Sequence, residues 1–169
     1  VGPEYLLVDS YNMIFAWDDL NRVAKENLDA ARSLLADILS NYQGFRQNRV
    51  ILVFDAYKVP GGTGSVTRYQ NIHVVYTKEA ETADAYIEKA SYQLSREKRR
   101  VRVATADYAE QLIILGHGAL RVSAQELRAE VERTQGEIAR IIEANRPALR
   151  GGTVGDALRL AQGKKGGRG

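Results

Sequence analysis

Three apolar, strand-like runs of this sequence end in an acid. LLVDSYNMI places Asp9 at the end of an apolar run, ILVFDAY does so with Asp55 and VRVATADY with Asp107. A fourth acidic stretch, EAETADAYIEKA, spaces Glu81, Asp84 and Glu88 at i, i+3 and i+7, so a helix would put them on one face. Like charges so placed repel unless a cation offsets them. Magnesium and manganese prefer hard oxygen ligands and keep several waters. Carboxylates from separate strands and one helix N-terminus would hold one or two such ions, which align a phosphodiester, activate a water and stabilise the leaving oxygen. Asn12 would orient a water or touch a phosphate, and Thr105 would hydrogen-bond a metal-bound water.

Each of these residues also has a plain structural use. A strand-end Asp caps the next helix, and ATADYAEQL suits Asp107 to that task. Asn favours turns and Thr favours strands. Glu88 reads as a solvated acid or one that acts on the site indirectly, and Asp18, Asp19 and Glu79 read as exposed loop charges. The chemical reading therefore rests on convergence, and convergence depends on the elements.

Short apolar runs at residues 5–8, 50–54, 72–76, 101–104 and 120–122 predict five strands. Helical spacing predicts helices over 27–42, stopped by Gly44, over 81–94 and over 108–115. Ser123 with Glu126 three positions later forms a capping box for a helix reaching about Asn145, with a break at Gly136. Residues 154–161 offer a last helical turn or two. PGGTGS at 60–65 reads as a loop; it lacks the Gly-Lys-Ser/Thr ending of a phosphate loop. Strands apolar on both faces that alternate with helices imply an α/β fold with a mainly parallel sheet covered on both sides. In such folds ligands gather at the carboxyl ends of the strands. Asp9, Asp55 and Asp107 should then share one edge, joined by Asp84 and Glu81.

The 169 residues suffice for one domain with a substantial core, and 44% hydrophobic with 27% charged residues is ordinary for a globular protein. The absence of cysteine excludes disulfides and thiolate zinc sites and fits a reducing cytosol. No apolar run approaches the roughly 20 residues of a membrane helix and no signal peptide is legible, so the expected location is cytoplasmic, with no membrane partner. The net charge of +3 is uneven: from Arg146 onward six basic residues face one acid, leaving the remainder about −2. The expected organisation is a domain over 1–150 and a basic Gly/Lys-rich tail over 151–169. Lys164 and Lys165 in the tail, and Arg96, Lys98, Arg99 and Arg100 in REKRRVR, are the candidate contacts to RNA or ribosome. Tyr11, Trp17, Tyr57 and Tyr108 are candidates for stacking on bases.

The ordered set LLVDSYNMI, ILVFDAY, VVYTKEAETADAYIEKA, VRVATADYAEQ and VSAQEL resembles NYN domains of the PIN-like nuclease superfamily, in particular the YacP-like branch, over roughly residues 4–145. That branch includes a ribosome-dependent endoribonuclease that cleaves messenger RNA during translation. The resemblance implies a PIN-like three-layer fold and hydrolysis of RNA with Mg2+ or Mn2+, leaving a 5′-phosphate and a 3′-hydroxyl. By position it makes Asp9 and Asp84 the central metal-binding acids, Asp107 the later acid and Glu81 an accessory ligand or water-positioner. Asn12 matches the asparagine of the family's opening motif, and Asp55 matches an acid at the second strand. The expected partners are messenger RNA and the ribosome, with no small-molecule cofactor. The competing reading is a non-catalytic RNA- or ribosome-binding module on the same fold. A haloacid-dehalogenase-type phosphatase is disfavoured, because Tyr11 stands where its second Asp belongs. A histidine-based ribonuclease is disfavoured because His73 and His117 join no motif and read as structural.

Overall fold

A computed structural model describes residues 2–56, 64–107 and 118–146. Its strands are β1 Tyr5–Asp9, β2 Arg49–Phe54, β3 Val66–Tyr69, β4 Ile72–Tyr76, β5 Val101–Ala104 and β6 Leu120–Val122. Its helices are α1 Ser10–Ala16, α2 Asp18–Glu26, α3 Leu28–Arg46, α4 Ala83–Arg96 and α5 Ala124–Ala144. The strands form one sheet in the order β3-β4-β2-β1-β5-β6. All pairings are parallel except the β3–β4 hairpin. The chain leaves β1 toward β2 on one side and returns to β5 on the other. The strand order thus reverses at β1, the kind of point where ligands enter open α/β sheets.

Side-chain alternation along β1 sets the two layers. Leu6 and Val8 join Leu52, Phe54, Ile72 and Val74 on the face covered by α1, α2, α3 and the first turns of α5. Leu7 joins Val53, Val75, Val101 and Val103 on the other face, against Ala83 and Ile87 of α4. Asp9 and Asp55 follow the same alternation as Leu7 and Val53, so both belong to the α4 face. The mainly parallel sheet flanked by helices is the expected α/β architecture. The chain divides into two compact units, Val1–Val131 and Glu132–Gly169. Among the described residues no helix is long and apolar enough to cross a membrane.

The structure also differs from the expectation in several places. β3 is an edge strand too short for alternation to reveal it, folded onto β4 through a two-residue turn with Gln70 at φ 51°. Residues 10–26, to which no element was assigned, form α1 and α2. Asp18 and Asp19 are therefore not loop charges but lie in the first turn of α2, where the helix dipole favours acids, and Asp19 pairs with Arg128 at 2.9 Å. Gly44 does not stop α3. The helix runs to Arg46 and ends where Gln47 takes the left-handed conformation, its N–H bonded to the Gln43 carbonyl at 2.7 Å. Gly136 does not break α5. The expected helices at 108–115 and 154–161, the boundary at 150, and His117, Lys164 and Lys165 lie outside the described residues.

The capping box is present in both directions. The Ser123 hydroxyl accepts from the Glu126 N–H at 3.1 Å, and the Glu126 carboxylate accepts from the Ser123 N–H at 2.9 Å. Ser123→Ala should lower unfolding stability by about 1 kcal/mol, the usual worth of an N-cap. Urea unfolding with an unchanged slope checks this, and a loss below a few tenths would mean that α5 does not depend on its cap.

Candidate active site

Two elements meet at the carboxyl edge of the α4 face. β1 ends in Asp9, which is only 4% exposed, because the chain turns at once into α1 and the sheet encloses it. α4 begins at Ala83, with Thr82 as its N-cap accepting from the Ala85 N–H at 3.1 Å. That start puts Asp84 in the first helical turn, exposed, its carboxyl within hydrogen-bonding reach of Asp9. Burial raises the pKa of Asp9 most, and the Asp84 carboxyl raises it further through a shared hydrogen bond and through its charge. The Asn12 backbone and amide N–H groups oppose this, and the outcome is a pKa of about 7. Near neutral pH the pair therefore holds a proton that a divalent cation would displace.

Asn12 does a second task. Its Oδ1 accepts from the Ala106 N–H at 2.9 Å, tying the first turn of α1 to the loop after β5. Thr105 is buried, and its hydroxyl accepts from the Asp107 N–H at 3.0 Å, which sets the backbone that carries Asp107. Asp107 is half-buried on the same edge, two residues past Thr105. Among the described residues no three acidic or histidine side chains close into a metal cluster; the two acids that meet are Asp9 and Asp84. The fit to a hard divalent cation rests on this donor set: two carboxyls forced together, one of them buried, with an amide holding the inner one in place.

The other predicted acids have different tasks. The Asp55 carboxylate accepts from the Ala83 N–H at 3.3 Å, so it anchors the N-terminus of α4 and thereby places Asp84. Glu81 precedes the N-cap, so it does not share a helical face with Asp84 and Glu88. The Thr82 hydroxyl takes the capping position and starts the helix later than the acidic spacing suggested. Glu81 is held instead by Lys89 at 2.9 Å, which keeps its carboxyl below the usual range. Glu88 is exposed on α4. Given that pairing, Glu81→Gln should lower any metal-dependent cleavage by no more than about 10–100-fold, the usual cost for residues that act outside the direct contacts. A loss as large as that of Asp9→Asn would return Glu81 to the reacting centre.

Sequence reasoning missed Thr77. Its buried hydroxyl accepts from the Ala56 N–H at 2.9 Å and donates to the Glu81 carbonyl at 2.7 Å, joining the ends of β2 and β4 to the approach to α4. Tyr11 and Trp17 are core residues rather than stacking surfaces: Tyr11 packs edge-on to Phe54 at 5.3 Å and the Trp17 indole N–H donates to the Ala124 carbonyl at 2.9 Å. Tyr57 and Tyr108 lie outside the described residues. Arg96, Lys98, Arg99 and Arg100 are exposed where α4 ends and β5 begins, at the amino edge of the sheet, so the structure does not bring them to the acids.

A carboxylate pair at the strand-order reversal of a helix-flanked, mainly parallel sheet places the protein among PIN-like α/β domains of nuclease type. The chain belongs to the YacP-like NYN domain family, whose model matches residues 6–164. It is 44% identical to the protein YacP of Bacillus subtilis (strain 168) over 137 residues, 81% of this chain and 80% of that one. It superposes on the crystal structure of Rae1 (YacP) from Bacillus subtilis with a TM-score of 0.74 and 39% identity, covering 96% of this chain and 95% of the other. On the crystal structure of a mutant of the same protein the TM-score is 0.75, at 39% identity, covering 87% and 86%.

Proposed function

We propose that this protein is a divalent-metal-dependent endoribonuclease that cleaves messenger RNA in association with the translating ribosome in the cytoplasm. The buried Asp9 carboxyl forced against Asp84 is the observation that carries the reading. A binding module has no use for a buried acid whose charge is disfavoured and which faces a second acid, because both repel phosphate. A hydrolase that takes up Mg2+ or Mn2+ does have such a use.

Asp9 and Asp84 are the residues that would hold the cation, with Asp107 approaching from the loop after β5. A divalent cation held there supplies Lewis-acid polarisation of a phosphate oxygen and lowers the pKa of a water. Asp9 must lose its proton to serve, and Asn12 favours the charged form by donating to it. Asn12 also fixes the distance between α1 and the Asp107 loop, and Asp55 fixes the start of α4. RNA approaches along the open carboxyl edge, where Asp84 is exposed. The expected products carry a 5′-phosphate and a 3′-hydroxyl.

The test is cleavage of a translated messenger RNA by the wild-type chain and by Asp9→Asn, with and without ribosomes, in Mg2+, Mn2+ or EDTA. Metal-dependent cuts lost in the variant support the nuclease, and their dependence on ribosomes supports the translational setting. Cuts that persist in the variant and in EDTA would remove the acid pair from catalysis.

A further inference from the structure

The α4 face carries a second feature, at the other end of the strands. Tyr5 of β1, Arg49 and Ile51 of β2, Val66 of β3, His73 of β4 and Tyr86 of α4 line a groove of about 200 Å³. It exists because α4 covers the sheet only over β1, β5 and part of β2, leaving the β2–β4–β3 side of that face open. Val66 is 61% exposed at its outer wall, and Tyr5, Ile51, His73 and Tyr86 are half-buried. The groove is smaller than the roughly 300–1,000 Å³ of small-molecule pockets, which suits one planar ring rather than a cofactor.

Its strand wall is positively charged: Arg49 lines it, and Arg68 of β3 stands in register with His73. None of the described lining residues is acidic. On the helix wall, burial raises the pKa of the Tyr86 hydroxyl, Glu81 adds to this and Lys89 opposes it; Glu81 and Lys89 are paired with each other at 2.9 Å. Aromatic surface inside a positive groove is the recognised pattern for single-stranded nucleic acid. Asp55, just past the end of β2, follows Ile51 by four residues, so the groove lies about 13 Å from the carboxyl edge on the same face. A single strand of RNA lying over β2 would span both.

We propose that this groove is a base-binding subsite for single-stranded RNA: one unpaired base seats between Tyr5 and Tyr86, its flanking phosphates meet Arg49 and Arg68, and the same strand reaches the Asp9–Asp84 pair a few nucleotides away. The location of the scissile phosphate rests on the nuclease reading of that pair. The groove itself does not.

The test is fluorescence anisotropy with a labelled oligouridylate, at fixed salt and in EDTA so that no cleavage intervenes. Val66→Glu puts an acid at the mouth of the groove on an exposed edge strand, and Arg49→Ala removes its lining cation; both positions are exposed. Lys25→Glu, exposed on α2 across the sheet, controls for charge alone. Val66→Glu and Arg49→Ala should each weaken binding about tenfold and Lys25→Glu less than about twofold, while Asp9→Asn should bind at least as well as wild type. An abasic oligonucleotide should bind wild type about tenfold more weakly and show little further loss with Val66→Glu.

Equal affinity of the groove variants and wild type, or equal losses in Val66→Glu and Lys25→Glu, would overturn the subsite. So would a Val66→Glu variant that loses only self-association in sedimentation, since the groove would then be a contact between copies. Groove-dependent binding without cleavage in any metal would support the subsite and remove the nuclease reading. Cleavage lost in Asp9→Asn, with binding indifferent to the groove, would do the reverse.

Discussion

Asp9→Asn should abolish RNA cleavage, by on the order of a thousandfold or more, and in the same variant raise the stability of the cation-free protein above pH 7. Both effects have one cause. Asp9 is buried, and its charged form lacks solvent and faces the Asp84 carboxyl. Asparagine keeps the size and can still accept from the Asn12 N–H while donating to Asp84. It cannot become an anion, so it removes both the cation-binding charge and the strain of holding that charge without a cation. Asp84→Asn should lose cleavage similarly with a smaller gain in stability, because Asp84 is exposed and its charge is solvated. The two readouts are single-turnover cleavage at saturating Mn2+ and denaturant unfolding in EDTA at pH 8. A variant that is inactive and less stable than wild type would mean that Asp9 holds the fold through contacts that asparagine cannot make. A variant that stays active would remove it from the reaction.

Much of this site was legible because strand ends and strand patterns are written locally. Leu6–Leu7–Val8 is apolar on both faces, so a parallel central strand followed, and Asp9 had to emerge at its carboxyl end. The same logic placed Asp55 and Asp107. The spacing of Glu81, Asp84 and Glu88 was less informative, because several residues competed to start the helix and Thr82 won by capping the Ala85 N–H. One displaced cap moved Glu81 from the acidic face to a pairing with Lys89. The task of Asp55 was hidden for another reason. Whether a strand-end acid meets a ligand or a helix N–H depends on where a helix 28 residues later begins. β3 escaped because a four-residue edge strand needs only one partner, and its identity comes from the hairpin with β4. The groove escaped altogether: His73 reads as an ordinary strand residue until the sheet shows which part of its face α4 leaves open.

The stability of the cation-free protein should fall as pH rises from about 4 to about 7 through Asp9, and a divalent cation should restore it at pH 8. The folded pKa of Asp9 lies above its unfolded value, so in that window the native state binds more protons than the unfolded state. The slope of unfolding free energy with pH is then negative. The contribution is fully present below the unfolded value, is lost as pH rises through about 7 and is constant above. A shift of roughly three units corresponds to about 4 kcal/mol, or on the order of 10 °C in Tm for a chain of this size. Glu81, Glu126 and Glu130, held low by Lys89, by Ser123 and by Arg102, act with the opposite sign. Their stabilisation is lost only as pH falls below the usual glutamate range, so they do not mask the window. Subtracting the Asp9→Asn melting curve from that of wild type, pH by pH in EDTA, isolates the term. Mn2+ or Mg2+ at about a hundred times its dissociation constant should then raise wild-type stability at pH 8 by about 2.7 kcal/mol, and should do little below pH 5 or in Asp9→Asn. A difference curve that is flat between pH 4 and 7 would mean that Asp9 is charged at no cost in the folded protein. A cation response equal in the two proteins would place the ion elsewhere. The predicted pair of results would tie the buried proton and the metal to the same carboxyl, because a cation that competes with that proton must bind more tightly as the proton leaves.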